Sequence, residues 1–299
     1  MKQQIKSSLI LLLTATIWGV AFVAQSVGME YIGPFTFNAI RCVLGGLVLI
    51  PAILVLKKKK ETGAENQEKE DKKTLWAGGI ACGVILCIAS NLQQFGIMEA
   101  SVGKSGFFTA LYIVMIPVIG IFIGKRPGIK LWFCVALAVV GMYLLCMKDG
   151  SFTIERADIM LLLCALAFSF HILVVDYFSP KVDGVKMSCI QFFVCGVLSA
   201  VGMLFTETPD ISNIQAAWLP LLYAGLLSCG VGYTLQIVGQ KGINPVIASL
   251  IMSLESVISA LAGWVILGQV LSPKEIFGCV LMFVAIIITQ IPIGNKKTD

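Results

Sequence analysis

The sequence predicts an all-α integral membrane protein, with ten transmembrane helices arranged as two inverted five-helix repeats. Three observations carry that prediction. Of the 299 residues, 58% are hydrophobic and 13% are charged, against about 25% charged in an average soluble domain. The charges that exist are clustered, so stretches of about twenty apolar residues alternate with short polar connections. The chain also aligns with itself at a few nearly constant offsets. Too few charges remain to cover a water-facing surface, which excludes a soluble globular enzyme. The longest polar run, Lys57–Lys73 (KKKKETGAENQEKEDKK), is too short to hold a soluble domain.

Backbone polar groups in a bilayer must be satisfied within the segment, so each long apolar stretch reads as a helix. The predicted spans are 8–27, 34–56, 75–96, 102–123, 131–147, 158–178, 187–206, 216–238, 244–267 and 275–292. The segments are too long and too glycine-rich for barrel strands, which need about ten residues of strict alternation. The connections GMEYIG (28–33), GKRPGIK (124–130) and SPKVDG (179–184) carry turn residues. The first span has no small-residue cleavage site followed by a polar start, so it reads as a retained helix rather than a signal peptide.

Loop charges orient the bundle. With the N-terminus inside, seventeen Lys and Arg fall on the inner side: Lys2, Lys6, seven in 57–73, Lys125, Arg126, Lys130, Lys181, Lys186, Lys241, Lys296 and Lys297. Only Lys148, Arg156 and Lys274 fall on the other side. Both termini are therefore expected in the cytoplasm of a cell whose plasma membrane holds the protein. The net charge of +5 then marks topology, not nucleic-acid binding. All ten cysteines sit in apolar segments without a CxxC pair, so they read as small packing residues, and no metal site or cofactor is expected.

An offset of 150 pairs FNAIR (37–41) with MSCIQ (187–191), Trp18 with Phe168 and Gly46 with Gly196. Offsets of 143 and 144 pair LQQFG (92–96) with LQIVG (235–239), and FIGKRPGIKLWFCVAL (122–137) with ILGQVLSPKEIFGCVL (266–281). The halves are 1–150 and 151–299. Each holds five spans, an odd number, so the second must enter the membrane with opposite orientation. Inverted repeats are a recurrent plan of secondary transporters, with the site near mid-membrane where the repeats meet.

The pieces ATIWGVAFVAQ (15–25), SVGKSGFFTALYIVMIPVIGIFIGKRP (101–127) and INPVIASLIMSLESVISALAGWVILGQVLS (243–272) resemble the EamA type of the drug/metabolite transporter superfamily, over essentially the whole chain. That resemblance implies export or exchange of small metabolites, often amino acids, through a central cavity lined by spans one, three, four, six, eight and nine. The family often has proline after the span-nine glutamate, where this chain has Ser256.

Ionisable residues within spans are costly and usually face a cavity or a partner. Glu255 sits mid-span nine on a face with Ala248, Met252, Ser259 and Gly263 at three- and four-residue spacing. It aligns with Tyr112 in span four, itself in line with Ser105 and Thr109. Glu255 either holds a substrate ammonium or carries a proton, or else locks helices together. His171, the sole histidine, reads as a proton relay or as a bonded packing residue. Trp18 and Phe168 form an aromatic wall or a core contact. Arg41, paired with Gln191 by the repeat, either snorkels outward or bridges to another helix. Lys104, near the outer face, would favour anionic substrates if it reached the cavity. Asn91, Gln93, Gln94 and Gln236 complete the polar set; amides suit zwitterions and also join helices.

The sequence holds no GxxxxGK[ST], HExxH or GxSxG motif. Energy is then expected from the substrate's own gradient or from a coupled ion such as the proton. The expected function is a secondary transporter, an exporter or exchanger of small metabolites such as amino acids, working in the bilayer as a monomer or homodimer. A proton-coupled exporter of multidrug or cationic compounds is the alternative. An intramembrane enzyme using Glu255 and His171 lacks an accompanying nucleophile or metal.

Overall fold

The computed structural model describes residues 2–62, 71–100, 102–125, 127–146, 155–268 and 272–291. Of the basic residues counted in the loops, Lys69, Arg126, Lys148, Lys296 and Lys297 lie outside the described residues. Every regular element among the described residues is helical. The first repeat contains α1 (Lys2–Gly28), α2 (Pro34–Thr62) and α3 (Lys72–Glu99), then α4 (Val102–Ala110) and α5 (Tyr112–Phe122), and α6 (Ile129–Cys146). The second opens with α7 (Arg156–Phe178), α8 (Gly184–Thr206) and the short α9 (Ile211–Ala216). Span eight follows as α10 (Trp218–Leu222), a π-helix (Tyr223–Tyr233) and α11 (Thr234–Gln240). Span nine is α12 (Pro245–Met252) and α13 (Glu255–Leu267), and α14 (Pro273–Gln290) closes the described chain.

Among the described residues, eight helical stretches are long and apolar enough to cross a membrane. The predicted spans 131–147 and 275–292 correspond to α6 and α14, which pack on each other; the apolar stretch of α6, Ile129–Leu144, is shorter than the eight. The surface is that of a bundle turned toward lipid. Leu9, Leu54, Phe122, Ile129 and Phe205 are exposed, while Asn38, Gln94, Gln191, His171 and Ser199 are buried. A soluble bundle would distribute these the other way round.

The packing partners come in pairs that interchange when each span is replaced by its counterpart in the other repeat. α3 packs on α7, as α11 packs on α1; α3 packs on α8, as the π-helix packs on α2; α4 and α5 pack on α7, as α13 and α12 pack on α1. α2 with α8, α4 with α13, and α6 with α14 are contacts between counterparts. Close approach is bought with missing side chains at the centre. A Cβ on Gly45 would lie 2.6 Å from the Cβ of Cys229, and one on Gly225 would lie 2.7 Å from that of Leu44. These glycines let α2 and the π-helix touch backbone to backbone.

Three spans read as continuous are broken. Span four breaks at Leu111 and span nine at Ser253–Leu254, and the repeat equates these points. Around the break in span four the bonds tighten to three-residue spacing, from Leu111 N–H to the Phe108 carbonyl and from Val114 N–H to the Leu111 carbonyl, while Pro117 lies six residues on, within α5. Span nine breaks without the proline the resemblance led us to look for. There Ser249, Ser253, Ser256 and Ser259 each donate from Oγ to the carbonyl three residues earlier, at 2.7–2.9 Å, and such back-bonding bends helices.

The third break is the π-helix. Trp76 and Cys87 have counterparts 142 residues later, at Trp218 and Cys229, whereas Leu92, Gln93 and Gly96 have theirs 143 later, at Leu235, Gln236 and Gly239. Span eight therefore holds one more residue than span three. A π-turn, closing i to i+5, absorbs such an insertion within a helix.

Candidate functional site

The two equivalent breaks bring Tyr112 and Glu255 together as the first residues of α5 and α13. The Tyr112 hydroxyl donates to Glu255 Oε1 at 3.0 Å, and both side chains are buried. They border a cavity of about 30 Å³, walled also by Trp18, Phe168, Gln93, Thr109 and Gln236. That volume admits one or two water molecules and no metabolite, so a ligand must be accommodated by opening the bundle.

The remaining wall comes from residues whose part was not read from sequence. Phe22, Gln25, Ile172, Ser228 and Tyr233 line it, and so does Arg41. Arg41 was legible as an intramembrane cation but not as a cavity residue. Its Nη1 donates to Gln25 Oε1 at 2.8 Å, and its guanidinium sits 5.6 Å from the Phe37 ring centre. Trp18 Nε1 donates to the Ser228 carbonyl of the π-helix at 3.4 Å, and the Trp18 and Tyr233 rings lie 4.6 Å apart. A hint of these neighbours was available, since Gln25 and Ser228 are polar residues inside apolar spans.

The two repeat-related amides share the wall with unlike partners. Gln93 Nε2 donates to Thr109 Oγ1 at 3.4 Å, and Gln236 Nε2 donates to Gln240 Oε1 at 3.5 Å. Gln240 Nε2 in turn donates to the Ile172 carbonyl at 2.6 Å.

Five candidates lie away from this wall. Asn91 joins three helices: its Oδ1 accepts from Asn38 at 2.9 Å and its Nδ2 donates to Ser199 Oγ at 3.0 Å. Gln94 Nε2 points to Met29 Sδ at 3.5 Å. His171 Nε2 is 3.1 Å from Gln191 Oε1, which joins α7 to α8. Ser259 is in the seam between α13 and α4, with its Oγ 3.1 Å from where a Cβ on Gly106 would be. Lys104 ion-pairs with Glu155 at 2.8 Å and Asp158 at 3.0 Å at the start of α7. Asn91, His171 and Lys104 thus meet polar partners from other spans, whereas the Ser259 hydroxyl turns back to the Ser256 carbonyl of its own helix.

A second cavity, of about 350 Å³, lies where α5 ends and α12 begins, bordered by Ile116, Pro117, Lys125, Leu131, Leu173 and Asn244. α5 thus has Tyr112 on the central cavity and Ile116 and Pro117 on the larger one. Among the described residues no group of three or more His, Cys, Asp or Glu side chains is placed to hold a metal ion.

Comparison with known proteins is consistent along the chain. The model of the EamA-like transporter family matches residues 5–147 and again residues 155–291. An Archaeoglobus fulgidus protein named an uncharacterized transporter is 27% identical over 282 residues, spanning 94% of this chain and 84% of its own. The Bacillus subtilis protein YwfM, likewise named an uncharacterized transporter, is 24% identical over 307 residues, spanning 97% of this chain and 96% of its own. A solved crystal structure superposes with a TM-score of 0.76 at 18% identity, over 95% of this chain and 96% of that one, a likeness of fold.

Proposed function

The chain belongs to the EamA-like transporter family, and from that premise we propose that it is a secondary transporter of small metabolites such as amino acids. It exports or exchanges them across the plasma membrane by alternating access. In this reading the chain crosses the bilayer ten times, with α6 and α14 among the crossings, as two inverted repeats with both termini in the cytoplasm. The observation that carries it is the Tyr112–Glu255 pair, set where both repeats break their helices and facing a small polar cavity. Broken helices at a repeat interface are where transporters place their sites. The larger cavity beside Lys125 and Asn244 would be the inner vestibule, on the side the loop charges mark as cytoplasmic. Purified protein in vesicles preloaded with unlabelled amino acids should accumulate labelled ones by saturable counterflow. A broad solute panel that gives no counterflow overturns the reading.

One observation favours the alternative, a proton-coupled exporter of cationic compounds. Among the described residues Glu255 is the only carboxylate on the cavity wall, and the group bonded to it is a hydroxyl rather than a cation. Glu255→Gln separates the two. Loss of net movement driven by a pH gradient, with exchange retained, would favour proton coupling. Loss of both would place Glu255 on the substrate.

A further inference from the structure

We infer that Arg41 is the carboxylate-binding residue of the central cavity, so that the substrates are organic acids and, with Glu255 opposite in charge on the same wall, zwitterions. The inference rests on the transport reading above and adds a substrate class and a residue to it.

Arg41 is 2% exposed, well inside the membrane-spanning part of α2, and borders the cavity. A guanidinium there is costly unless an anion compensates it. Among the described residues no carboxylate reaches ion-pair distance of it. Gln25 gives it one neutral acceptor and Phe37 one ring face, while Nε is buried with no hydrogen-bond partner. Five N–H donors in a planar fork match a carboxylate better than any other small anion-bearing group except phosphate.

The repeat supplies an internal control. Gln191 is the counterpart of Arg41, and it too reaches the first helix of its own repeat, where His171 meets it at 3.1 Å. The second repeat thus closes this junction with neutral groups. The first repeat places a full charge there, and among the described residues no carboxylate lies within ion-pair distance of it. A charge used only to join helices would be matched by an acid on the neighbouring helix, as Lys104 and Lys125 are matched by acids of α7.

Among the described residues Glu255 is the one acid of the wall and Arg41 the one base, and the rings of Trp18, Phe168 and Tyr233 also line it. An amino acid would put its carboxylate on Arg41, its ammonium toward Glu255 and its side chain against the rings. A cationic amine would meet Arg41 as a like charge, which disfavours it.

The test is counterflow in wild-type vesicles with labelled proteinogenic amino acids, each beside the amine left when its carboxylate is removed. At least one acid is expected to move saturably while its amine does not. Arg41→Lys keeps the charge and loses the fork, and should raise the half-saturation concentration about tenfold; Arg41→Gln should raise it about a hundredfold. Arg41→Gln should also erase the preference for acid over amine, which a merely structural arginine would leave intact. Acid and amine moving equally in the wild type would overturn this inference and leave transport standing. Movement of neither would overturn this inference, and the transport reading falls with it if a broad solute panel also gives no counterflow. Unchanged half-saturation in the lysine and glutamine variants also overturns it. Where a variant does not fold, the comparison of acid with amine in the wild type decides.

Discussion

Spans three and eight occupy equivalent places in the two repeats, and each puts a glutamine, Gln93 or Gln236, on the cavity wall. They reach that result differently. α3 is uninterrupted from Lys72 to Glu99, whereas span eight carries a π-helix over Tyr223–Tyr233. An extra residue in a regular α-helix turns everything after it by about 100°. Span eight has that extra residue, and the π-helix absorbs it, so that Gln236 still faces its counterpart's cavity. The strain is not idle: the π-helix contributes Ser228 and Tyr233 to the site and the Ser228 carbonyl to Trp18. Fidelity to the repeat is kept at the amides and given up where the aromatic wall is built.

The sharpest way to break this comparison is to delete one lipid-facing residue from each span. Ile88 in α3 and Val231 in the π-helix are 53% and 38% exposed, so neither deletion removes core packing. Without Ile88, α3 cannot keep both of its ends in place: Asn91 and Gln93 rotate away from Asn38 and Thr109. That change should cost more than about 4 kcal/mol and leave no monodisperse peak on size-exclusion chromatography in detergent. Without Val231, the π-helix closes to an α-helix with both ends in register. The protein should elute and melt as a folded species, while counterflow falls because Ser228 and Tyr233 have moved. Equal tolerance of both deletions would mean that the π-helix is not absorbing an insertion.

Much of this architecture is visible in the residues themselves, because membrane solvent makes span and loop compositions differ sharply. The apolar stretches delimit α3, α7 and α8 to within three residues, while α1 starts six residues before the predicted span, and the repeat offset equates Tyr112 with Glu255. The π-helix is harder to see, since a change of offset from 142 to 143 inside one span is a single residue among many weak matches. The breaks are hidden for a related reason. Ser259 reads as part of the polar face around Glu255, and nothing in the sequence shows that the hydroxyls of Ser249, Ser253, Ser256 and Ser259 turn back on the helix. Sequence also leaves a polar side chain's partner open. Arg41 and Lys104 are both basic residues inside apolar spans, yet one borders the cavity and the other meets acids of α7. That choice depends on which side chains face them from helices distant in sequence.

A smaller effect separates Asn91 from its counterpart, Thr234. Asn91 bonds Asn38 of α2, Ser199 of α8 and the Cys87 carbonyl, whereas buried Thr234 Oγ1 has no hydrogen-bond partner. Interhelical hydrogen bonds in membranes are worth about 0.6–2 kcal/mol. Asn91→Ala should therefore destabilise by about 1–2 kcal/mol, and Thr234→Val by less than about 0.5 kcal/mol, in thermal melts of the detergent-solubilised protein. Similar losses at the two sites would deny Asn91 its role as the joint among α2, α3 and α8.

Effects of similar size are expected at the two ends of span four. It is tied to α7 at both ends, by Lys104 to Glu155 and Asp158 and by Lys125 to Asp176 at 3.0 Å. In span nine the counterparts of the two lysines are Ile247 and Gln269, neither of them charged, and the seam with α1 is packed so closely at Gly19 that a Cβ there would fall 2.4 Å from Ile258. The two ties are unequal. Asp158 keeps only 2% side-chain exposure, and removing Lys104 leaves a buried carboxylate beside Glu155. Lys104→Met should cost about 1–2 kcal/mol. Lys125 is 47% exposed and Asp176 25%, where water screens the pair, so Lys125→Met should cost less than about 0.5 kcal/mol. Raising the salt concentration should narrow any loss from Lys125→Met and leave most of the loss from Lys104→Met, because salt screens exposed pairs far more than buried ones. Melting both variants at low and high salt reads the difference directly. A Lys104 loss that vanishes with salt would make the Lys104 tie a surface pair like the Lys125 one, and span four would then be held to α7 by packing alone.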